Sequence, residues 1–396
     1  MGYNFVIQPF HDFRKWEIEG YRTRDAHFFE HLRNREDVDK LIVINRPLSL
    51  AERIIKRKSK KYDVGRLIFS SAHFEITQID SKVYIFDFYV NDLLSVIIQK
   101  RKWWDSILRT EEIQNNIIFG LNQVGIDSYI LFLQNPLSVA LTLRLNPQML
   151  VFDVIDNWLE HEQMKDIKDV LSKNYQEVDK NADLIISVSG RNKKLFPQNK
   201  NFHEITNGVD LDKFNVGNDR KAENIIGYVG KIQDRFDFDL LEELAKRNSN
   251  LVFNIYGPIY SGKKISNKLS QKYDNINFMG EVCYEDIPEV IKEFKIAIIP
   301  HKVNEFTQSM NPLKAFEYLA AGTPVISTKI NGVSNISQYL FVGDDKEEFI
   351  NKFNDLIQDS THITIEQVQQ SLSNTVSWES KINQLLTLVR KTDENI

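Results

Sequence analysis

The chain has 396 residues, more than one hydrophobic core ordinarily holds, and two domains are expected. Its 42% hydrophobic and 27% charged residues are the balance of a globular protein, and no apolar run approaches the length needed to span a membrane. A net charge of −5 argues against a general nucleic-acid binder, and a single cysteine, Cys283, excludes an internal disulfide and a Cys-based zinc site while fitting a reducing compartment. The first residues read as a strand, too short for a signal peptide, so a cytoplasmic location is expected.

Short apolar runs alternate with longer helical patterns, the signature of parallel α/β architecture. Strands are expected at 5–10, 40–45, 82–90, 128–133, 150–155 and 184–189, with helices at 25–35, 111–123 and 159–181 between them. The turn residues at 206–214 and the polar stretch 215–223 then suit a linker. A second series follows: strands at 224–230, 251–256, 296–300, 324–328 and 340–342, with helices at 239–247 and 287–294. An amphipathic helix to about residue 390 ends the chain, after Trp378.

The stretch Ser309-Met310-Asn311-Pro312-Leu313-Lys314-Ala315-Phe316-Glu317-Tyr318-Leu319-Ala320-Ala321-Gly322-Thr323-Pro324-Val325-Ile326 is the most informative. It reads as loop, short helix, turn and buried strand. Asn311 is expected as N-cap, Pro312 as the first helical residue, and Gly322 as the left-handed terminator. The free N–H groups and dipole of the first turn, through Leu313 and Lys314, make an anion site. Glu317 stands three residues beyond Lys314. Phosphates at the helix end and hydroxyls on the carboxylate would suit a nucleotide sugar. The bland alternative is an ordinary crossover whose caps serve only the turn.

This string resembles the donor-site helix of glycosyltransferases with the two-Rossmann-domain B fold, particularly the bacterial branch that makes surface polysaccharides. The resemblance implies an α/β chain of two Rossmann-like domains facing across a cleft. The acceptor domain would be 1–205, the linker 206–223, and the nucleotide-sugar domain 224–375. Residues 376–396 would be a C-terminal helix returning to the first domain. The segment Thr206-Asn207-Gly208-Val209-Asp210-Leu211-Asp212-Lys213-Phe214 is similar to the family's interdomain segment.

Further site residues follow from the resemblance. Gly230 and Lys231, after the strand ending Gly227-Tyr228-Val229, match the turn beside the diphosphate. Relatives usually carry Arg there and Lys some residues later, a place occupied here by Phe236, so Arg235 is the substitute candidate. Tyr256 and Gly257 would border the nucleobase, and Glu317 would hold the ribose. The first of the two glutamates many retaining relatives carry falls at Ser309, which leaves the stereochemical outcome open.

In the first half, Asp153 and Asp156 follow an apolar strand, in a string similar to one that faces the cleft in relatives. Asp156 is the candidate general base or charge stabiliser. The alternative is that Asp156 or Asn157 simply caps the following helix. Arg24 and His27 open the first long helix and resemble an acceptor-lining start in relatives, although such residues are more often surface caps. Lys231 and Lys314 would stabilise the departing diphosphate. No histidine or acidic spacing suits a metal, and none is expected, nor any cofactor.

Arg53, Lys56, Arg57, Lys58, Lys60, Lys61 and Arg66 form a basic cluster, and Lys100-Arg101-Lys102-Trp103-Trp104 adds cations beside two tryptophans. Both suit an anionic membrane surface, against the default of a solvated charged face. The reading is a transferase moving a sugar from a nucleotide sugar to a glycan or lipid-linked acceptor, with no nucleic-acid partner. A sugar-nucleotide epimerase of the same fold and a non-catalytic binding subunit are the alternatives.

Overall fold

The computed structural model describes residues 2–55, 64–215, 217, 224–333, 336–359 and 363–394. It divides into two compact units, Met1–Ile205 with Ile382–Ile396, and Thr206–Lys381. Each is built on a mainly or wholly parallel sheet. The inner strands are buried on both faces, which is why they appear in the sequence as continuous apolar runs.

In the first unit the sheet order runs Phe202–Glu204, Leu184–Ser187, Met149–Val154, Ile130–Leu133, Tyr3–Gln8, Val38–Ile44, Val83–Val90, Phe74–Gln78 and Arg66–Ser70. All neighbours are parallel except the last three, which pair antiparallel. That hairpin is absent from the expected elements, because Arg66–Ser70 is a largely exposed edge strand. The chain starts in mid-sheet, builds one way to Val83–Val90, then returns to the other side of Tyr3–Gln8 at Ile130–Leu133. The expected helix 159–181 starts only at Lys168. Before it, Asn157 and His161 accept from Leu159 N–H and Gln163 N–H and cap two short 3-10 turns.

The second sheet has the order Ile276–Gly280, Val252–Tyr256, Ile225–Val229, Ile296–Ile299, Val325–Thr328 and Leu340–Gly343, all parallel. It too begins in the middle and reverses direction, between Ile225–Val229 and Ile296–Ile299. Residues Thr206–Phe214, expected as linker, are ordered within this unit: Val209 donates its N–H to Val376 O and accepts from Trp378 N–H.

The last helix, Trp378–Asp393, passes from one unit's residues to the other's at Ile382. In the first unit it buries Ile382, Leu385, Leu386 and Val389, each worth about 2 kcal/mol. Arg390 pairs with Asp37, and Thr392 Oγ1 accepts from Asn201 Nδ2 at 3.0 Å.

Candidate functional site

In an open parallel sheet, ligands bind beyond the carboxyl ends of the strands at the point where strand order reverses. In the second unit that point is the turn Val229-Gly230-Lys231 on one side and Pro300-His301 on the other. The helix Leu313–Ala320 is fixed to this edge by Tyr318, whose hydroxyl accepts from Val229 N–H at 2.7 Å and donates to Val229 O at 3.1 Å. Its fully buried ring holds the first helical turn beside the strand end.

Two neighbouring turns are packed backbone to backbone. Gly230 N–H donates to Tyr256 O at 3.0 Å. A Cβ on Gly257, at φ +131°, would lie 2.0 Å from Gly230 O, and one on Gly230, at φ +150°, would lie 2.9 Å from Lys314 Cε and Nζ. Only glycines permit this approach. Gly257→Ala is therefore expected to cost about 3 kcal/mol, from strain plus a clash with backbone that cannot swing aside. Urea unfolding measures it; a loss under about 0.5 kcal/mol, that of an ordinary surface change, would show that the turn can relax.

Lys314 lies in the first turn with Nζ 4.9 Å from the centre of the Tyr228 ring. The residue keeps part of its surface open, yet burial pushes its ammonium down to about 7, Arg235 adds to this, and the Glu317 carboxylate opposes it. Burial pushes the Tyr228 phenol up to about 12, against the pull of Arg235. His301 is fully buried and held well below the usual imidazole range by that burial and by the charges of Lys314 and Arg235, so it is neutral. Its Nε2 lies 3.4 Å from Tyr228 Oη. Two cationic side chains, Lys314 and Arg235, thus meet at this edge, and burial disfavours the charged form of Lys314.

Most of the sequence-predicted donor residues converge on this edge. Tyr256 ends its strand 8% exposed, next to Gly257. Arg235, half-buried, acts electrostatically on Lys314 and donates Nη1 to Gln233 Oε1 at 2.7 Å, while its buried Nε has no hydrogen-bond partner. Phe236, in the place where relatives carry Lys, is a core aromatic edge-on to Tyr228 at 5.0 Å. Lys231 is half-buried after Gly230, and its carbonyl accepts from Tyr228 Oη at 3.3 Å. Ser309 closes a 3-10 turn, with its hydroxyl donating to Phe306 O at 2.6 Å.

The expected cap is corrected. The helix begins at Leu313 with Pro312 as N-cap, one residue later than the expected start at Pro312. Asn311 does not cap it, because its side chain is engaged elsewhere: Oδ1 accepts from Asn207 N–H at 2.8 Å and Nδ2 donates to Gly332 O at 3.1 Å. Asn311 braces the loop that delivers Lys314. Gly322 does take a left-handed φ of +77° after the helix.

Among the first unit's candidates, Arg24 and Asp153 find each other. Arg24 Nε donates to Asp153 Oδ2 at 2.9 Å and Nη2 to Oδ1 at 3.0 Å, with both side chains almost wholly buried. Gln134 Nε2 adds a bond to Asp153 Oδ2 at 3.1 Å. A bidentate pair so enclosed ties the first long helix to the strand Met149–Val154, and removing either partner would strand a buried charge. His27 is buried on the same helix. Asp156 is half-buried, and its carbonyl accepts from Tyr175 Oη at 3.4 Å; the cap is Asn157.

Trp103 is corrected too. It is 1% exposed, with Nε1 donating to Asp92 Oδ2 at 3.0 Å, so it is core and not an interfacial anchor. Lys56, Arg57, Lys58, Lys60 and Lys61 lie outside the described residues. Among the described residues no cluster of three or more His, Cys, Asp or Glu side chains is placed to hold a metal.

Sequence reasoning missed Tyr318, Tyr228 and His301 as supports of Lys314. The available signal was Tyr318 itself: a tyrosine within an apolar helix face, four residues after Lys314, needs a buried partner for its hydroxyl.

Residues 223–359 match the family described as Glycosyl transferases group 1. A Bacillus subtilis (strain 168) protein assigned as the teichuronic acid biosynthesis glycosyltransferase TuaH is 25% identical over 206 residues, 49% of this chain and 52% of that protein. The chain spans about half the length of the curated relatives it matches. Among solved structures, sucrose-phosphate synthase from Thermosynechococcus elongatus superposes with a TM-score of 0.67 at 14% identity, over 100% of both chains. The catalytic domain of Arabidopsis thaliana starch synthase IV, bound to ADP and acarbose, gives 0.71 at 11%, also over 100% of both. Residues 223–359 are thus similar to group 1 glycosyl transferases, in a chain with the two-Rossmann-domain GT-B fold.

Proposed function

We propose that the chain transfers a sugar from a nucleoside-diphosphate sugar to a hydroxyl of a glycan or lipid-linked glycan in surface-polysaccharide synthesis, without a metal. The observation that carries this is Lys314: an ammonium at a helix N-terminus, pressed onto Gly230 and sharing its surroundings with Arg235. Glu317 is one carboxylate against these two cations, and a diphosphate would balance the remaining positive charge. Negative charge grows on the leaving diphosphate as the sugar–oxygen bond breaks, so fixed cations and the helix dipole would act most strongly in the transition state. Glu317, one turn further along, would take the ribose hydroxyls, and Asp156 would serve as base or charge stabiliser toward the acceptor. The kinship with a teichuronic acid glycosyltransferase and the ADP held by a structural neighbour support the same chemistry.

Incubation with a panel of nucleotide sugars and glycan acceptors tests the proposal. Nucleoside diphosphate release coupled to a lengthened acceptor, undiminished by EDTA, is expected. Isomerised donor or binding without turnover would replace this reading with the epimerase or the binding subunit. Glu317→Gln should raise the dissociation constant for nucleotide about tenfold, the worth of a charged hydrogen bond, with little change in melting temperature. Unchanged affinity with lost stability would make Glu317 structural.

No helix among the described residues is long and apolar enough to cross a membrane. The proposed location is cytoplasmic and peripheral, with the basic residues 53–66 drawn to anionic lipid and Trp103 taking no part. Replacing Lys56, Arg57, Lys60 and Lys61 by Ser should reduce sedimentation with anionic vesicles at low salt. If the parent protein does not sediment with those vesicles, the contact does not exist.

A further inference from the structure

The first unit contains a cavity of about 530 Å³ whose chemistry the donor site does not use. It is lined by Phe10 and Asn135, which follow the strands Tyr3–Gln8 and Ile130–Leu133 where that sheet reverses direction. This is where an open α/β sheet binds ligands. Two buried donors in its lining have no partner: Asn135 Nδ2 and Trp104 Nε1. Asn135 is fully buried, and its Oδ1 already accepts from Leu137 N–H at 2.9 Å, so the amide's orientation is settled and the NH2 is the unpaired end. A buried donor without an acceptor costs about 1–3 kcal/mol, a cost a ligand oxygen would remove.

The charged part of the lining is mostly cationic. It holds Arg46, Lys100 and Arg101 against one carboxylate, Glu52, which Arg46 already occupies at 2.9 Å; Arg101 also reaches the half-exposed Asp166, outside the lining, at 3.6 Å. Lys100 sits at φ +50°, a strained conformation for a side-chain-bearing residue, and such strain gathers at ligand sites. Donors and cations with no free acceptor select a ligand that only accepts, a phosphate rather than a bare sugar, whose hydroxyls must also donate. The remaining wall is apolar, and it continues outside: Ile97 lines the cavity and is 57% exposed, beside Leu94 at 68% and Ile98 at 75%.

We propose that this cavity binds an anionic amphiphile, a phosphate attached to an alkyl or prenyl chain, with the chain running over the helix Ser95–Gln99. That this molecule is the lipid-phosphate end of the acceptor rests on the glycosyl-transfer reading; the binding itself does not.

The test is titration of the whole protein with monomeric n-decyl phosphate, followed by tryptophan fluorescence, since Trp104 and Trp158 line the cavity. Saturable binding is expected, at least about tenfold tighter than n-decyl glucoside or inorganic phosphate. The double variant Lys100→Gln, Arg101→Gln and, separately, Ile97→Glu should each weaken it about tenfold while melting with the parent, because all three residues are exposed. Equal binding of the neutral glucoside, unchanged affinity in both variants, or response only to phospholipid vesicles would overturn the proposal. Nucleotide binding is measured on the same samples. Nucleotide binding without decyl phosphate binding sinks the cavity assignment alone; the converse leaves it standing and removes the transferase reading.

Discussion

Lys314→Ala is expected to lower turnover about a hundredfold or more, the scale seen when one electrostatic donor to a developing charge is removed. Donor affinity should fall less, because the diphosphate carries less charge in the ground state than when it departs. The fold should survive: the substitution relieves the burial that pushes this ammonium down to about 7, and alanine suits a helix. Lys314→Arg should not restore full activity. The site is closed by Gly230 against a compact ammonium, and a planar guanidinium cannot shed its proton to escape burial. Steady-state kinetics with separate donor and acceptor titrations checks this. Normal turnover with only a raised donor KM would mean uniform binding, and the catalytic role would fall.

Donor binding should take up a proton above neutral pH. With Lys314 at about 7 in the free protein, roughly nine-tenths of the molecules are neutral there at pH 8. A bound diphosphate favours the charged form, so affinity is full below pH 7 and falls, by up to about tenfold per unit, as pH rises from 7 toward the pKa in the complex. Calorimetry of a nucleotide sugar in buffers of different ionisation enthalpy reads the proton directly, since the diphosphate diester does not itself titrate near neutrality. Lys314→Met should abolish the uptake. The same shift acts on stability with the opposite slope. The folded pKa lies below the unfolded value of 10.5, so the unfolded chain binds more protons between them. This contribution is therefore fully destabilising below about pH 7 and is relieved as pH rises toward 10.5. The difference in urea stability between parent and Lys314→Met should shrink over that window; a constant difference would show that Lys314 titrates normally.

Much of the architecture was readable because parallel strands buried on both faces leave apolar runs; runs as short as Ile130–Leu133 or Ile296–Ile299 are ambiguous alone and were read as strands from their alternation with helical patterns. The edge hairpin Arg66–Ser70 with Phe74–Gln78 was not, since an exposed edge strand lacks that signature. Asn311 misled because cap preference is local, whereas its side chain answers to Asn207 and Gly332, distant in sequence. Trp103 misled because composition cannot tell an interfacial indole from one bonded to Asp92 in the core. At the site, the spacing of Lys314 and Glu317 was visible, and so was the need for glycine at 230. The depressed Lys314 was not. It comes first from burial, with Tyr228 and Gly230 among the enclosing residues, and then from Arg235, and only the strand reversal brings these to one edge.

The most direct measurement of the central claim is a thermal-unfolding panel of nucleotides and nucleotide sugars, run on the parent protein and on Lys314→Ala. One nucleoside diphosphate and its sugar conjugates should stabilise the parent, by about 2.7 kcal/mol at a hundred times the dissociation constant, and less in the variant. If no nucleotide shifts the parent's transition, or one shifts both proteins equally, then the helix Leu313–Ala320 and its lysine do not form a diphosphate site.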